Sequence, residues 1–201
     1  VDPIPIVIDP ADQLLCEGEL SNDVIFIGPN PITSFIWTND NTSIGLSANG
    51  TGDILAFTAD NTSLVDQDAT ITVTPEFNGC LGSSHTFIFT VKPKPNAFAT
   101  PITQEYCSGE TSDEIFFTGD LAGTQFDWLN DNVSIGLTGT GVGDIPSFNV
   151  VNSSLSVQTA TISMVPSFNG CVGDTVFASI IVNPISTVVI SSGIDEYCHN
   201  D

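Results

Sequence analysis

The sequence has very little positive charge. Two lysines and no arginine stand against 24 acidic residues, so the formal net charge is −22. Nucleic acids and anionic membranes are bound mainly through clustered basic residues, and the composition therefore argues against both as partners. A surface of one sign attracts cations, and it keeps neighbouring copies of a secreted polymer soluble and apart.

The sequence also lacks a long apolar run and a signal-peptide pattern. A membrane-spanning helix needs about 18 or more consecutive apolar residues, and no stretch of this chain provides them. We therefore expect no membrane insertion, and we expect secretion signals and anchors to lie outside this sequence.

One stretch of the chain occurs twice. Residues 35–46 read FIWTNDNTSIGL, and 91 residues later 126–137 read FDWLNDNVSIGL. The same offset superposes two shorter motifs, GDI at 52–54 and 143–145, and FNGC at 77–80 and 168–171. A period of this length matches a small self-contained domain rather than a solenoid unit that needs neighbours.

The repeat predicts two domains, residues 1–93 and 94–184, followed by a linker and the start of a third copy at 185–201. The third copy is indicated because Tyr106-Cys107 maps onto Tyr197-Cys198. Prolines punctuate the connector before each copy, which favours a semi-rigid spacer. Both lysines, Lys92 and Lys94, lie in the connector, as solvated charges or as partners of acids in a neighbouring domain.

The five cysteines follow the repeat. Each copy opens with one, and a second follows 64 residues later. We predict one disulfide in each domain, Cys16 with Cys80 and Cys107 with Cys171, each stabilising its domain by about 4 kcal/mol through loop closure. Cys198 then remains a free thiol. Zinc is disfavoured because CxxC spacing is absent, and persistent disulfides indicate an oxidising, extracytoplasmic location.

Short apolar runs separated by Gly, Asn, Asp and Pro predict strands throughout. In the first repeat they lie at 24–27, 34–38, 54–58, 69–74 and 86–91, and 69–74 alternates apolar and polar residues as a half-buried strand does. The Asn-Gly pairs at 78–79 and 169–170 predict type I′ hairpin turns. No stretch has a sustained helical period, so the predicted fold class is all-β, with tandem antiparallel β-sandwich domains.

Two tryptophans, Trp37 and Trp128, share a strand face with Phe35 and Phe126. The strand alternation favours buried core anchors, and a sugar-stacking platform is the alternative.

Recurring acids are the candidate metal ligands. Calcium prefers six to eight oxygen ligands, and Asp40 with Asp53, or Asp131 with Asp144, could supply several if their loops converge. The alternative is that these Asp and Asn residues form turns through their own backbone hydrogen bonds. The same alternative holds for the four Asn-x-Ser segments at 41, 61, 132 and 152, which also match the glycosylation pattern.

Catalysis has little support. A Ser/His/Asp or Cys/His site needs a histidine, and neither His85 nor His199 has a counterpart in another copy. A pair of carboxylates for glycoside hydrolysis would need a cleft. We predict no enzyme activity and no required cofactor, with calcium as the one possible ion.

Three motifs together carry a family resemblance. The Cys-x-Gly-Glu opening at 16–19 and 107–110, the Phe-x-Trp-x-Asn-Asp-Asn-x-Ser-Ile-Gly-Leu block, and the Phe-Asn-Gly-Cys-x-Gly close resemble the PKD-like repeats of giant surface proteins from gliding bacteria of the flavobacterial type. The resemblance covers essentially the whole chain. It implies immunoglobulin-like sandwiches in an extended filament, exported by the type IX system and moved along the cell surface by the gliding motor.

The function expected from these features is mechanical, at the extracellular cell surface. The chain would be a stalk segment of an adhesin, with neighbouring repeats as its partners and surface polysaccharide bound through regions outside this sequence. The alternative is a binding module in which exposed loops of each sandwich bind a glycan or a protein.

Overall fold

In the computed structural model, which describes residues 4–28 and 33–185, the chain is built from short strands. The first repeat contains β1 (Gln13–Cys16), β2 (Ser34–Asn39), β3 (Asn49–Thr51), β4 (Gln67–Phe77), β5 (Cys80–Leu81) and β6 (His85–Lys92). The second contains β7 (Ala97–Thr100), β8 (Thr103–Cys107), β9 (Phe116–Gly119), β10 (Gln125–Asn130), β11 (Thr140–Val142), β12 (Gln158–Phe168), β13 (Cys171–Val172) and β14 (Val176–Asn183).

Helical structure in the described ranges is limited to two 3₁₀ turns, Thr42–Ile44 and Val133–Ile135. No helix there has the length and hydrophobicity needed to cross a bilayer.

Each repeat forms one main sheet with the same strand order. The first sheet runs β1-β6-β4-β2-β3, with β5 beside β4, and the second runs β8-β14-β12-β10-β11, with β13 beside β12. Strands β7 and β9 form a separate two-stranded sheet. The all-β, immunoglobulin-like fold class is confirmed. The domain boundaries at 93/94 and 184/185 stay predictions.

The opening strand of each repeat departs from the predicted antiparallel arrangement. Strand β1 pairs with β6 in parallel, and β8 pairs in parallel with β14. A parallel pair needs a long crossover, which the chain between β1 and β6 provides. The consequence is that the opening cysteine of each repeat lies beside the final residue of its last strand, Cys16 opposite Lys92 and Cys107 opposite Asn183.

The second layer of the first sandwich combines backbone bridges with hydrogen bonds from side chains. The predicted strands at 24–27 and 54–58 form isolated bridges, one of them between Val24 and Ile54, instead of continuous ladders. Carboxylates accept from their backbone amides: Asp53 Oδ1 from Phe26 N at 2.9 Å, and Asp23 Oδ1 from Ala56 N at 2.6 Å. These bonds satisfy amides that a ladder would otherwise satisfy.

The core follows the predicted alternation. Ala69, Ile71 and Val73 of β4 are fully buried, whereas the threonines between them are partly exposed. Trp37 and Trp128 are only 5% and 6% exposed, which confirms them as core anchors. A Cβ on Gly50 would lie 2.2 Å from Cζ2 of Trp37, so the strand beside this tryptophan accepts only glycine at that position.

The chain divides into two compact units. The first comprises Val1–Ala99, Phe117–Asp127 and Met164–Val176, and the second comprises Thr100–Phe116, Trp128–Ser163 and Phe177–Asp201. The first unit therefore includes the Asn-Gly hairpin of the second repeat. Aromatic rings fill the first core, with ring centroids 5.5 Å apart for Phe87 and Phe89, and 5.2 Å apart for Phe57 and Phe89. Isoleucines fill the second, including Ile135, Ile145 and Ile162.

Two buried asparagines close the loop before the long central strand. Asn61 Nδ2 donates to the carbonyl oxygens of Val91 at 2.7 Å and Val65 at 2.9 Å, and its Oδ1 accepts from Ser63 N. Asn152 makes the same set of bonds in the second repeat. These Asn-x-Ser segments are turns, as the turn interpretation predicts.

Replacing the first of these asparagines tests its role. We expect Asn61→Ala to lower the free energy of unfolding by about 1–3 kcal/mol, because the buried carbonyl oxygen of Val91 and the partly buried one of Val65 lose their donor. The measurement is the denaturation midpoint. Asn49→Ala, at an exposed position, is the matched control and should change it by less than about 0.5 kcal/mol. Equal effects of the two variants would contradict the assignment.

Candidate functional site

The candidate site begins at the two hairpins that follow the long strands. Asn78 and Gly79 have φ of 51° and 77°, and Asn169 and Gly170 have φ of 47° and 88°, as a type I′ turn requires. Each turn joins an eleven-residue strand to a two-residue strand that begins with a cysteine. The predicted turn chemistry is confirmed, and it presents a cysteine at the same place in each repeat.

The opening cysteines are also placed alike. The backbone amide of Cys16 donates to Glu19 Oε2 at 2.8 Å, and that of Cys107 donates to Glu110 Oε2 at 2.6 Å. The recurring Cys-x-Gly-Glu motif is therefore a turn that fixes the end of the opening strand.

The geometry of the first sheet excludes the predicted Cys16–Cys80 pair. Cys16 lies beside Lys92, next to the Gln67 end of β4, whereas Cys80 lies opposite Phe77 at the other end. Strand β4 has eleven residues, which corresponds to roughly 30 Å. A disulfide needs Cα atoms within about 7 Å of each other.

The predicted Cys107–Cys171 pair is also absent. Cys171 is bonded to another cysteine, Cys16, and Cys107 is a free thiol. The prediction of one disulfide inside each domain is therefore wrong.

The disulfide in the structure joins Cys16 to Cys171, with Cα atoms 5.6 Å apart and 155 residues of sequence separation. Cys80 and Cys107 are exposed free thiols. Cys198, which we predicted as the free thiol, lies outside the described residues. The bond links the opening of the first repeat to the hairpin of the second, and both ends belong to the first compact unit.

Both basic residues of the chain lie at the same contact. Lys92 Nζ donates to the carbonyl oxygen of Asn169 at 2.9 Å, and Lys94 Nζ lies 2.6 Å from Asp174 Oδ1. Of the two interpretations of the connector lysines, pairing with an acid holds for Lys94, whereas Lys92 donates to a backbone carbonyl oxygen. An exposed ion pair such as Lys94–Asp174 stabilises the fold little, but both lysines place positive charge beside the second hairpin.

The backbone itself makes the closest approach at this contact. A Cβ on Gly173 would lie 2.0 Å from the carbonyl oxygen of Pro95, so no larger residue fits without a backbone shift. In the first repeat a Cβ on Gly82 would lie 1.8 Å from the carbonyl oxygen of Pro5. The glycine that ends each Phe-Asn-Gly-Cys-x-Gly motif therefore packs against the connector. We call the packing of this glycine against the connector the hairpin contact. In the second repeat, the hairpin contact also includes the two lysine bonds and the disulfide.

The calcium candidates are engaged by the backbone. Asp40 Oδ1 accepts from Thr70 N at 2.7 Å, and Asp131 Oδ1 accepts from Thr161 N at 2.7 Å. Asp53 instead accepts a hydrogen bond from the backbone amide of Phe26 in the second layer. Asp144 occupies the corresponding sequence position in the other repeat. Within residues 4–28 and 33–185, no three His, Cys, Asp or Glu side chains form a group that could hold a metal ion. Calcium binding remains a prediction that these data do not test.

Thermal unfolding in calcium and in chelator tests that prediction. Because three of the four carboxylates accept from backbone amides, we expect the same melting temperature in millimolar calcium and in excess chelator. A melting temperature that rises with calcium concentration would instead establish a site occupied in the folded state.

Peptide mapping without reduction tests the disulfide assignment. After alkylation of free thiols in denaturant and cleavage at acidic residues, we expect Cys16 and Cys171 in one linked peptide pair and Cys80 and Cys107 in alkylated peptides. A linked peptide that contains Cys16 and Cys80 would contradict the assignment.

The disulfide pairing was predicted wrongly because the 64-residue spacing is consistent with two patterns of cysteine pairing. A cysteine that recurs twice per repeat can pair within its own repeat or with the next one. The odd fifth cysteine and the placement of both lysines beside the connector were the available signals.

Comparison with known proteins agrees with the domain type. Residues 8–95, somewhat less than half of the chain, match the family model described as PKD-like domain. A search of curated proteins found no match. The matched range corresponds to the first repeat.

Among solved structures, the chain is similar to titin domains I67–I69, with 16% identity and a TM-score of 0.43 over 90% of this chain and 66% of that one. It is also similar to the four N-terminal Ig domains of Dscam1 isoform 7.44, with 12% identity and a TM-score of 0.35 over 90% and 45%. For the tandem Ig repeats of Dlar the values are 16% and 0.31 over 90% and 99%. The chain thus spans less than two thirds of the titin and Dscam1 fragments, and similarities this low carry no functional information.

Proposed function

We propose that this chain is a load-bearing segment of a large secreted bacterial surface adhesin, acting in gliding motility and surface attachment. Immunoglobulin-like and PKD-like domains are typical of extracellular repeat and adhesion modules, and they are typically non-catalytic. The observation that carries the proposal is the disulfide between Cys16 and Cys171. It ties one repeat to the next, which a segment that transmits force requires and a single binding domain does not.

The disulfide changes the path that force takes through the chain. Tension applied at the two ends enters near Cys16, crosses the S–S bond and leaves after Cys171. The strands from β2 to β12 lie inside the 155-residue loop and carry no load, whereas β14 follows Cys171 and lies on the load path. The strands inside the loop are therefore shielded from unfolding by tension.

The composition suits the same role. A net charge of −22 keeps many copies of such a segment from associating on a crowded surface. A disulfide-bonded immunoglobulin-like fold is typical of extracellular proteins, where an S–S bond persists. The partners implied are neighbouring repeats of the same chain. The type IX export route and the gliding motor are part of the proposal through the family resemblance.

Single-molecule force spectroscopy tests the load path. Pulled from its ends in oxidising buffer, the chain should extend only through the residues outside the Cys16–Cys171 loop. Adding reductant should release 155 further residues, or roughly 500 Å of contour length.

The two cysteine pairs provide matched controls. The double variant Cys16→Ser, Cys171→Ser should show the long extension without reductant, and Cys80→Ser, Cys107→Ser should behave as the unmodified chain. Stepwise unfolding of both sheets in oxidising buffer would overturn the proposed load path.

A further inference from the structure

We infer that Cys80 and Cys107 are linkage points for further copies of the repeat, so that successive disulfides join each repeat to the next. Cys107 would pair with the hairpin cysteine of a following copy, and Cys80 with the opening cysteine of a preceding one. The inference concerns assembly and does not depend on the adhesin role.

The first observation is that the equivalent cysteines are already joined. Cys16 is the counterpart of Cys107 and Cys171 is the counterpart of Cys80, and those two form the disulfide. Cys80 and Cys107 are exposed. Each of the two free thiols is therefore equivalent, by the repeat, to one end of the disulfide that the structure contains.

The second observation is that both local environments are repeated. Cys107 has the glutamate-capped turn of Cys16, and it lies beside the last residue of β14 as Cys16 lies beside the last residue of β6. Cys80 follows the same type I′ turn as Cys171. A following hairpin would therefore meet the same backbone at Cys107 that the second hairpin meets at Cys16.

The third observation is that the hairpin contact is present even where its disulfide is not. Gly82 packs against the carbonyl oxygen of Pro5 as closely as Gly173 packs against that of Pro95. The first hairpin is therefore already seated on its connector, with Cys80 exposed. What is missing at Cys80 is the sulfur of an opening cysteine.

Neither lysine of the contact is repeated. Asn183 stands at the position equivalent to Lys92, and its Nδ2 donates to Glu105 Oε1 at 2.8 Å. Ile185 stands at the position equivalent to Lys94, so both lysine bonds would be absent at the next contact. Because exposed charge pairs contribute little, the glycine packing and the disulfide are expected to suffice.

The bond forms by ordinary thiol–disulfide exchange. The thiolate of Cys107 attacks one sulfur of a small disulfide such as oxidised glutathione, forming a mixed disulfide and releasing one thiol. The hairpin thiolate then attacks the Cys107 sulfur and releases the second thiol. Two protein thiols lose two protons and two electrons, and the small disulfide takes them up to become two thiols.

A chain with one added repeat tests the inference. An extra copy of residues 94–184 is inserted after Pro184 of the full chain. In the added copy, Cys107→Ser removes a competing thiol, and Val172→Leu, the residue found at the equivalent Leu81, marks its hairpin by mass. After oxidation in a glutathione buffer, peptide mapping should show Cys107 linked to the marked Cys171, Cys16 linked to the unmarked Cys171, and Cys80 free.

A second variant separates docking from chance oxidation. Gly173→Ala in the added copy should lower the fraction of Cys107 in the new bond by about tenfold, the change that ~1.4 kcal/mol of steric overlap produces. Gly139→Ala is the control, because a Cβ there would lie 3.5 Å from Val133 Cγ1, an ordinary contact. Both chains retain the Cys16–Cys171 bond as an internal check of folding.

Three results would overturn the inference. Cys107 could stay free in the extended chain, it could pair with Cys80, or the bond could form equally well with Gly173→Ala. None of these results would alter the force response of the unextended chain. The proposed function is therefore tested independently of this inference.

Discussion

The eleven-residue strand at the centre of each sheet separates the two cysteines of a repeat. Its far end turns through Asn-Gly into the hairpin cysteine, and its near end lies beside the parallel pair that ends in the opening cysteine. At about 3.3 Å per residue, no rotamer or loop adjustment closes that gap. The two cysteines of the first repeat therefore cannot form a disulfide with each other.

Charge and shape support the same contact. Like charge opposes the approach of one acidic repeat to another, and the only two cations of the chain lie where the second hairpin meets the connector. Glycine at 173 allows the two backbones to touch. These contacts bring the sulfurs into range, and the disulfide then makes the contact permanent in an oxidising environment.

Much of the fold could be predicted because local chemistry determined it. The alternation in β4, the Asn-Gly turns and the burial of the two tryptophans each follow from near neighbours, and the structure has them as predicted. The segments at 24–27 and 54–58 form isolated bridges and not the predicted strands, because the carboxylates of Asp23 and Asp53 accept hydrogen bonds from amides that would otherwise pair between strands. Strand propensity alone does not reveal that a side chain competes for the same donor.

The parallel opening strand and the disulfide pairing were beyond local reasoning. Both depend on which distant segments meet, and a repeated sequence is consistent with pairing inside a copy or between copies. The sequence predicts a cysteine directly after each Asn-Gly turn. Only the strand registers show that the two cysteines of the first repeat lie at opposite ends of its sheet.

Thiol reactivity in the reduced chain tests the central claim most directly, because Cys80 and Cys171 share the Asn-Gly-Cys-x-Gly context and differ in what covers them. Cys80 is exposed, whereas Cys171 is fully buried at the hairpin contact. If docking positions the sulfurs before the bond forms, alkylation of the folded, reduced chain should be at least about tenfold slower at Cys171 than at Cys80, as ~1.4 kcal/mol of docking free energy implies. Equal rates would show that the hairpin is held only by its disulfide, and would contradict the account.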